Sequence, residues 1–249
     1  MNSENMKHNA VVPDSSSDKS KKEQVADMFN HIAEKYDFLN HFLSVGIDKS
    51  WRKKAIKFIQ QNNPTMVLDI ATGTGDLAIM AAQKIPDCRV TGVDIAAKML
   101  EKGQEKINTL ALQDRVQLSL GDSESLPFEA AQYHAILCAF GVRNFQHLEQ
   151  GIAEMYRVMA PQGALAILEF SKPQAFPIKQ LYHFYFKYIL PVLGKLFSKH
   201  STAYQYLPDS VMAFPEGKDF CALLEKTGFK QVRQEKLTFG ICSLYTAKK

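Results

Sequence analysis

The sequence predicts an α/β protein, a Rossmann-like doubly wound parallel sheet with an N-terminal helical cap. Three observations predict it. Strand-like and helix-like segments alternate through 66–170, the rhythm of parallel strands joined by crossover helices. The first strand, Val67-Leu68-Asp69-Ile70, breaks into Ala71-Thr72-Gly73-Thr74-Gly75-Asp76 before the helix-forming run Leu77 to Ala82. That is the strand, glycine turn and helix that open a nucleotide-type unit. Finally, Asp69, Asp94 and Asp122 close three successive strands, and doubly wound sheets bind ligands beyond the carboxyl ends of their strands.

Taken in order, residues 1–21 are rich in Ser, Asp, Asn and Lys and lack the apolar run of a secretory signal, so they read as a disordered leader. Residues 22–249 then read as one domain. Val25, Met28, Phe29, Ile32 and Ala33, and later Trp51, Ala55, Ile56 and Ile59, recur at helical spacing. They define a helical cap over 22–63 that Pro64 ends. Within it, Tyr36-Asp37-Phe38-Leu39-Asn40 is a polar and aromatic cluster that suggests a break between two helices. The α/β core spans 64–175. Its further strands are Arg89–Asp94, Val116–Leu120, Tyr133–Ala139 and Gly163–Phe170, with helices over Ala96–Ile107 and Gln146–Met159.

Residues 176–197 depart from this rhythm. Phe176, Tyr182, Phe184, Tyr185, Phe186, Tyr188 and Phe197 are spaced by lysines, and Pro191 kinks the segment. One reading is a partly buried helix packed over the fifth strand. The other is an aromatic lid that accepts a lipid-like substrate or touches a membrane interface. The tail, 216–249, reads as a helix over Glu216–Thr227 followed by strands near 231–237 and 241–247, an antiparallel hairpin that finishes the sheet.

Composition narrows the function classes. A chain of 249 residues can bury one substantial core. A net charge of +4 without a basic run longer than a lysine pair gives no nucleic-acid footprint. Cys88, Cys138, Cys221 and Cys242 form no C-x-x-C pair, so neither a zinc ribbon nor another metal centre is expected, and a reducing compartment is. No stretch is long and uncharged enough to span a bilayer. The expectation is a cytoplasmic protein, soluble or peripheral at the inner face of the membrane. A homo-oligomer stays open.

Two ligands compete for the glycine loop. Gly73-Thr74-Gly75-Asp76-Leu77-Ala78 fits the dinucleotide pattern, with Asp94 about 20 residues on to accept from a ribose diol. The same loop, led by Asp69 and with Ala71 in place of the first glycine, fits an S-adenosylmethionine site. Asp69 and Asp76 favour the second, because carboxylates repel a pyrophosphate and attract a sulfonium or amino group. Asp122, followed by Ser123, closes the third strand where an adenine amine donates. A nicotinamide enzyme would also need a catalytic Tyr-x-x-x-Lys, and neither Tyr182 nor Tyr185 has a lysine at that spacing.

The fourth strand runs into Phe140-Gly141-Val142-Arg143-Asn144-Phe145. An arginine at the ligand edge of the sheet, permanently charged and forked, suits an oxyanion. A surface arginine beside an asparagine turn is the plainer alternative.

Several blocks together identify a resemblance. They are Lys35-Tyr36-Asp37-Phe38-Leu39-Asn40, Trp51-Arg52, the glycine loop from Val67 to Asp76, and Leu126-Pro127-Phe128. They continue with Phe140-Gly141-Val142-Arg143-Asn144, Met155-Tyr156-Arg157-Val158 and Leu168-Glu169-Phe170-Ser171-Lys172-Pro173. With these the chain resembles the ubiquinone/menaquinone biosynthesis C-methyltransferase family over most of its length beyond the leader. The resemblance implies a class I S-adenosylmethionine-dependent methyltransferase fold with S-adenosylmethionine as cofactor. It also implies methyl transfer to a ring carbon of a polyprenylated quinol, 2-demethylmenaquinol or the equivalent ubiquinone precursor. Carried over by motif, the cofactor positions are Thr74, Asp94, Asp122 and Ser123, which join Asp69, Gly73 and Gly75 of the loop.

Methylating a ring carbon requires an electron-rich ring, and deprotonating a quinol hydroxyl delocalises charge onto the adjacent carbon. The enzyme then supplies alignment and phenolate stabilisation. Arg143 is the candidate for the phenolate oxygen, with Asn144 and Tyr36 orienting the ring. For the base, Asp37 is favoured over His31 and His134, although it also suits a helix cap. Two other functions remain open at this point. One is a related methyltransferase acting on a small phenol or a sterol-like lipid. The other is a non-catalytic cofactor-binding subunit of a quinone-synthesis assembly, against which the intact loop glycines and strand-end acids speak.

Overall fold

The computed structural model describes residues 8–43, 46–184, 188 and 202–249, without the side chains of 35, 37–43 and 202–205. Two helices come first, α1 (Lys21–Leu43) and α2 (Asp48–Gln60). Strand β1 (Met66–Ile70), helix α3 (Asp76–Lys84), β2 (Arg89–Asp94), helix α4 (Ala97–Thr109), β3 (Val116–Leu120) and β4 (Tyr133–Ala139) follow. A 3₁₀ turn at Val142–Asn144 leads to α5 (Leu148–Val158) and the long β5 (Met159–Phe170). Beyond it lie α6 (Ile178–Phe184), α7 (Thr202–Ala213), α8 (Lys218–Thr227), β6 (Lys230–Leu237) and β7 (Cys242–Lys248).

The seven strands form one sheet in the order β3-β2-β1-β4-β5-β7-β6. Strands β1 to β5 are parallel, and β7 runs antiparallel to both β5 and β6. The strand order reverses between β1 and β4, which makes that junction the topological switch point where such sheets leave a crevice. The predicted C-terminal hairpin is therefore present as the edge of the sheet.

Alternation along the strands divides the core into two layers. Val67, Val90, Ala135, Leu137, Ala164 and Ala166 pack on one face with α2 and α3. Leu68, Ile70, Ile136, Cys138, Leu165 and Ile167 pack on the other with α5 and α8. Side chains that point to opposite faces at every step require this period of two. The cap is tied to the tail by Trp51, whose indole N–H donates to Thr238 Oγ1 at 2.8 Å.

Two expectations change. The helix break foreseen at 36–40 is absent, because α1 runs unbroken through Leu43. Tyr36 and Phe29 lie two turns apart on one face of that helix and meet edge to face at 5.8 Å, so the cluster extends a helix face rather than a loop. The leader is not disordered throughout 1–21. His8 is buried at 1 % exposure with Nε2 at 3.0 Å from the Phe145 carbonyl, and Lys21 Nζ donates to the His8 carbonyl at 2.9 Å. Of the aromatic lid, α6 and Tyr188 are described, and the rest of 185–197 lies outside the described residues. Helix α7 was not foreseen from the sequence; Pro208 inside it hides its periodicity.

Helix α4 passes so close to the glycine loop that Gly103 has no room for a side chain. A Cβ there would lie 2.6 Å from Leu118 Cδ1 and 3.1 Å from the carbonyl carbon and oxygen of Thr74. Gly103→Ala is therefore expected to push on the loop backbone, destabilising the fold by about 1–3 kcal/mol and weakening cofactor affinity. Urea denaturation and cofactor titration check both effects. Unchanged values would show that helix and loop separate freely.

Candidate active site

The carboxyl ends of β1 to β4 open into a cavity. Its walls come from Ala71 and Gly73 after β1, Asp94 and Ile95 after β2, Gly121 to Glu124 after β3, and Ala139 to Gly141 with Asn144 and Phe145 after β4. Helix α1 covers it with Lys22, Val25, Phe29 and Tyr36. Several walls are thus backbone or apolar surface, with carboxylates at two strand ends, which is the mixture a small cofactor requires.

The loop after β1 takes its shape from left-handed backbone. Gly73 and Gly75 have φ of 59° and 77°, and Ala71 adopts 54° despite its Cβ. The Gly73 N–H donates to Asp94 Oδ2 at 2.7 Å, and the Ala96 N–H donates to Oδ1 at 2.9 Å. Asp94 therefore fixes the loop and also faces the cavity. Burial pushes its carboxyl above the usual carboxylate range while these N–H groups pull it back.

Asp69 has a different position from the one its sequence context suggests. It is 1 % exposed beneath the loop, where Oδ2 accepts from Thr72 Oγ1 at 2.6 Å. Burial pushes its carboxyl up to about 7, opposed by the Thr72 hydroxyl and the charge of Arg52. Thr74 and Gly75 likewise shape the turn from behind the cavity wall. Lys106 Nζ of α4 donates to Thr74 Oγ1 at 2.9 Å and to Asp76 Oδ1 at 2.6 Å.

Asp122 and Ser123 line the cavity. Lys22 Nζ lies 2.5 Å from Asp122 Oδ2 and 3.0 Å from Glu124 Oε2, so a cation of the covering helix is paired to this wall. Glu124 Oε1 accepts from the N–H groups of Gln146 at 2.6 Å and His147 at 2.9 Å, at the start of α5. The sequence reading did not single out Lys22, Phe29, Phe145 or Gln146 as residues of the site. Helical spacing marked Phe29 only as an apolar residue of the cap.

At the far wall, Asn144 and Tyr36 line the cavity while Arg143 stands behind them, 7 % exposed. Arg143 Nη1 donates to Glu169 Oε1 at 2.7 Å and to the Phe140 carbonyl at 2.5 Å. Glu169, at the end of β5, is fully buried and also accepts from the Arg143 and Phe170 N–H groups at 3.2 and 2.9 Å. It is one more acid at a strand end, a signal that could have singled it out. Arg143 Nε and Asn144 Oδ1 are buried without a hydrogen-bond partner among the described residues. The Asp37 side chain lies outside the described residues. His31 is exposed with Nδ1 2.6 Å from the Asp27 carbonyl, and His134 meets Thr65 and Met66; neither lines the cavity.

The raised carboxyl of Asp69 makes stability depend on pH. Its folded value exceeds the unfolded one, so its contribution is full below about pH 4 and is lost as pH rises through about 7. Asp69→Asn keeps an acceptor for Thr72 and abolishes the titration. Wild type is expected to lose roughly 1–3 kcal/mol relative to Asp69→Asn between pH 4 and pH 8.5. Denaturant unfolding of the ligand-free protein across that range would show it, and parallel curves would refute it.

Comparison with known proteins agrees with this geometry. The model of the ubiE/COQ5 methyltransferase family matches residues 17–249. A demethylmenaquinone methyltransferase of Bacteroides fragilis is 46% identical over 234 residues, 94% of this chain and 96% of its own length. A ubiquinone/menaquinone biosynthesis C-methyltransferase of Geotalea daltonii is 45% identical over 92% of this chain and 97% of its own length. Among solved structures, a phosphoethanolamine N-methyltransferase of Haemonchus contortus in complex with S-adenosyl-L-methionine superposes with a TM-score of 0.59 at 15% identity, covering 86% of this chain and 59% of the other. A putative methyltransferase of Bacillus halodurans gives 0.57 at 18% identity, over 80% of this chain and 99% of that one. These structures share the fold, and with a glycine-turned loop, strand-end carboxylates and a match along nearly its whole length, the chain belongs to the ubiE/COQ5 methyltransferase family.

Proposed function

We propose that this protein transfers the methyl group of S-adenosylmethionine to a ring carbon of a polyprenylated quinol, 2-demethylmenaquinol or the equivalent ubiquinone precursor. The observation that carries this reading is the buried Arg143, held by Glu169 through one nitrogen, standing behind Asn144 and Tyr36 of the cavity wall, with an Nε that has no partner among the described residues. The names and near-complete coverage of the curated relatives support the quinol as acceptor.

When bound, S-adenosylmethionine supplies an electrophilic methyl group. The residues on hand fit that cofactor. Gly73 would give it bare backbone, Asp94 would offer its remaining carboxylate lone pairs to a ribose diol, and Asp122 and Ser123 would hold the adenine edge. For the acceptor, Tyr36 and Asn144 bound the ring, and Phe140 and Phe145 exclude water from the reacting atoms. Arg143 Nε donates to the phenolate oxygen and holds its charge, while Glu169 fixes the plane of the guanidinium. A low-dielectric wall strengthens that bond as charge builds on the oxygen.

The exposed apolar residues of α6 and the stretch before it support a peripheral membrane contact. Phe176, Leu181 and Phe184 are 81%, 60% and 54% exposed, and no described helix is long and apolar enough to cross a bilayer. Side chains of this kind, with Lys179 beside them, suit the boundary between headgroups and acyl chains.

Labelled S-adenosylmethionine incubated with reduced demethylmenaquinol and, separately, with the oxidised quinone tests the reaction. Label is expected only in the quinol product, and absence of transfer from a protein that binds the cofactor would overturn the reading. Arg143→Lys keeps a cation for Glu169 but removes Nε, so turnover is expected to fall ~10²-fold with cofactor affinity intact; full turnover would clear Arg143 of the role. Phe176→Ser combined with Leu181→Ser is expected to abolish co-sedimentation with anionic phospholipid vesicles while sparing turnover of a short-chain quinol. Retained vesicle binding would exclude this face.

A further inference from the structure

Buried polar groups in folded proteins are almost always hydrogen-bonded, so each one left without a partner calls for a reason. Among the described residues, three atoms without such a partner belong to two elements in contact. Arg143 Nε and Asn144 Oδ1 sit on the turn after β4, and the Tyr206 hydroxyl sits on α7, which packs against that turn. Tyr206 is 4 % exposed. Its hydroxyl lies within electrostatic reach of both Arg143 and Glu169, and burial holds it firmly protonated, hence a competent donor. The sequence blocks that carry the family resemblance do not include it, and α7 was not foreseen from the sequence.

The three atoms are chemically complementary to one kind of guest. The amide oxygen, which only accepts, suits the hydroxyl before it loses its proton, and the two donors, the Arg143 N–H and the Tyr206 phenol, suit the oxyanion that remains. We propose that Tyr206 is a substrate contact, its hydroxyl donating to the quinol oxygen that becomes the phenolate and completing a socket with Arg143 Nε and Asn144 Oδ1. The inference rests on the quinol reading above. It assigns α7 a direct part in the reaction, because a second donor to the oxyanion lowers the pKa of the bound quinol beyond what the guanidinium achieves alone. The proton of the quinol hydroxyl leaves to solvent, as does the proton of the ring carbon once that carbon has taken the methyl group, and Tyr206 keeps its own.

Tyr206→Phe tests this with minimal disturbance. It removes only an unpartnered hydroxyl, so the melting temperature of the ligand-free protein is expected to stay unchanged or rise. With a short-chain demethylmenaquinol, kcat is expected to fall 10- to 100-fold, and the rising limb of the kcat–pH profile to move to higher pH. KM for the cofactor should stay within about twofold. Combined with Arg143→Lys, the loss should be less than the product of the two single losses, because both donors serve one oxygen. An unchanged kcat and pH profile would overturn the proposal. So would a loss accompanied by a lower melting temperature with the pH limb unmoved, which would give Tyr206 a structural role only. Wild type measured in the same assay separates the two levels of failure. If wild type does not methylate the quinol, the functional reading falls; if wild type does and Tyr206→Phe matches it, only this inference falls.

Discussion

A buried ion pair between Arg143 and Glu169 holds the reacting end of the sheet together. Glu169 ends β5 and Arg143 follows β4, so the pair joins the two strands at the height where the cavity begins. Glu169 also takes the N–H groups of Arg143 and Phe170, which satisfies a carboxylate that water does not reach. Taking both charges from water is costly, and that cost is offset only with hydrogen bonds of this number and geometry. The adjacent rings follow from it. Phe140 and Phe170 stack at 4.6 Å, with Arg143 5.4 Å from the Phe170 centroid and Arg52 5.8 Å from that of Phe140. Phe140 holds a left-handed φ of 60°, uncommon for an aromatic residue, and its carbonyl is turned to accept from Arg143. The strain and the hydrogen bond belong to one arrangement.

On the cofactor side the organising charges are carboxylates, and they work by bonding to backbone. Asp94 ties the glycine loop to the start of the chain after β2, and Asp69 braces the loop from beneath through Thr72. The loop is thus held by two acids that act on opposite surfaces. Only Asp94 reaches the cavity. That division lets one carboxylate contact a ligand while the other keeps the turn in its left-handed conformation.

Much of this was legible in the residues. Strands β2, β3 and β4 fall at the predicted residues because β-branched and apolar runs there end abruptly at acids or turns. The glycine loop and the Phe140–Asn144 segment were legible as turns at the carboxyl edge of the sheet for the same reason. The failures have physical causes. Strand-end position shows that a side chain lies near the ligand edge but not whether it points up into the crevice or down beneath the loop, which is why Asp69 was misplaced. Tyr36 to Asn40 resembled a break because local composition ignores Phe29, two turns earlier, whose ring gives Tyr36 a partner. The leader resembled disordered chain because the contact between His8 and Phe145 spans most of the α/β core in sequence. Glu169 stood inside one of the blocks that carry the resemblance, yet its role depends on Arg143, a partner on the turn after a different strand.

Helix α1 has a consequence beyond shielding the cavity. Lys22, Val25, Phe29 and Tyr36 form one wall of the space a ligand fills, and Lys22 closes on Asp122 and Glu124 of the opposite wall. Docking of the helix and occupation of the cavity are therefore linked equilibria. Any ligand that touches that face strengthens the docking by the same free energy with which docking strengthens its binding. The affinity of this protein for its cofactor is in part a property of its first helix. Changes far from the glycine loop, as at the buried ring of His8, which does not line the cavity, will tune cofactor affinity without altering an atom of the cavity wall.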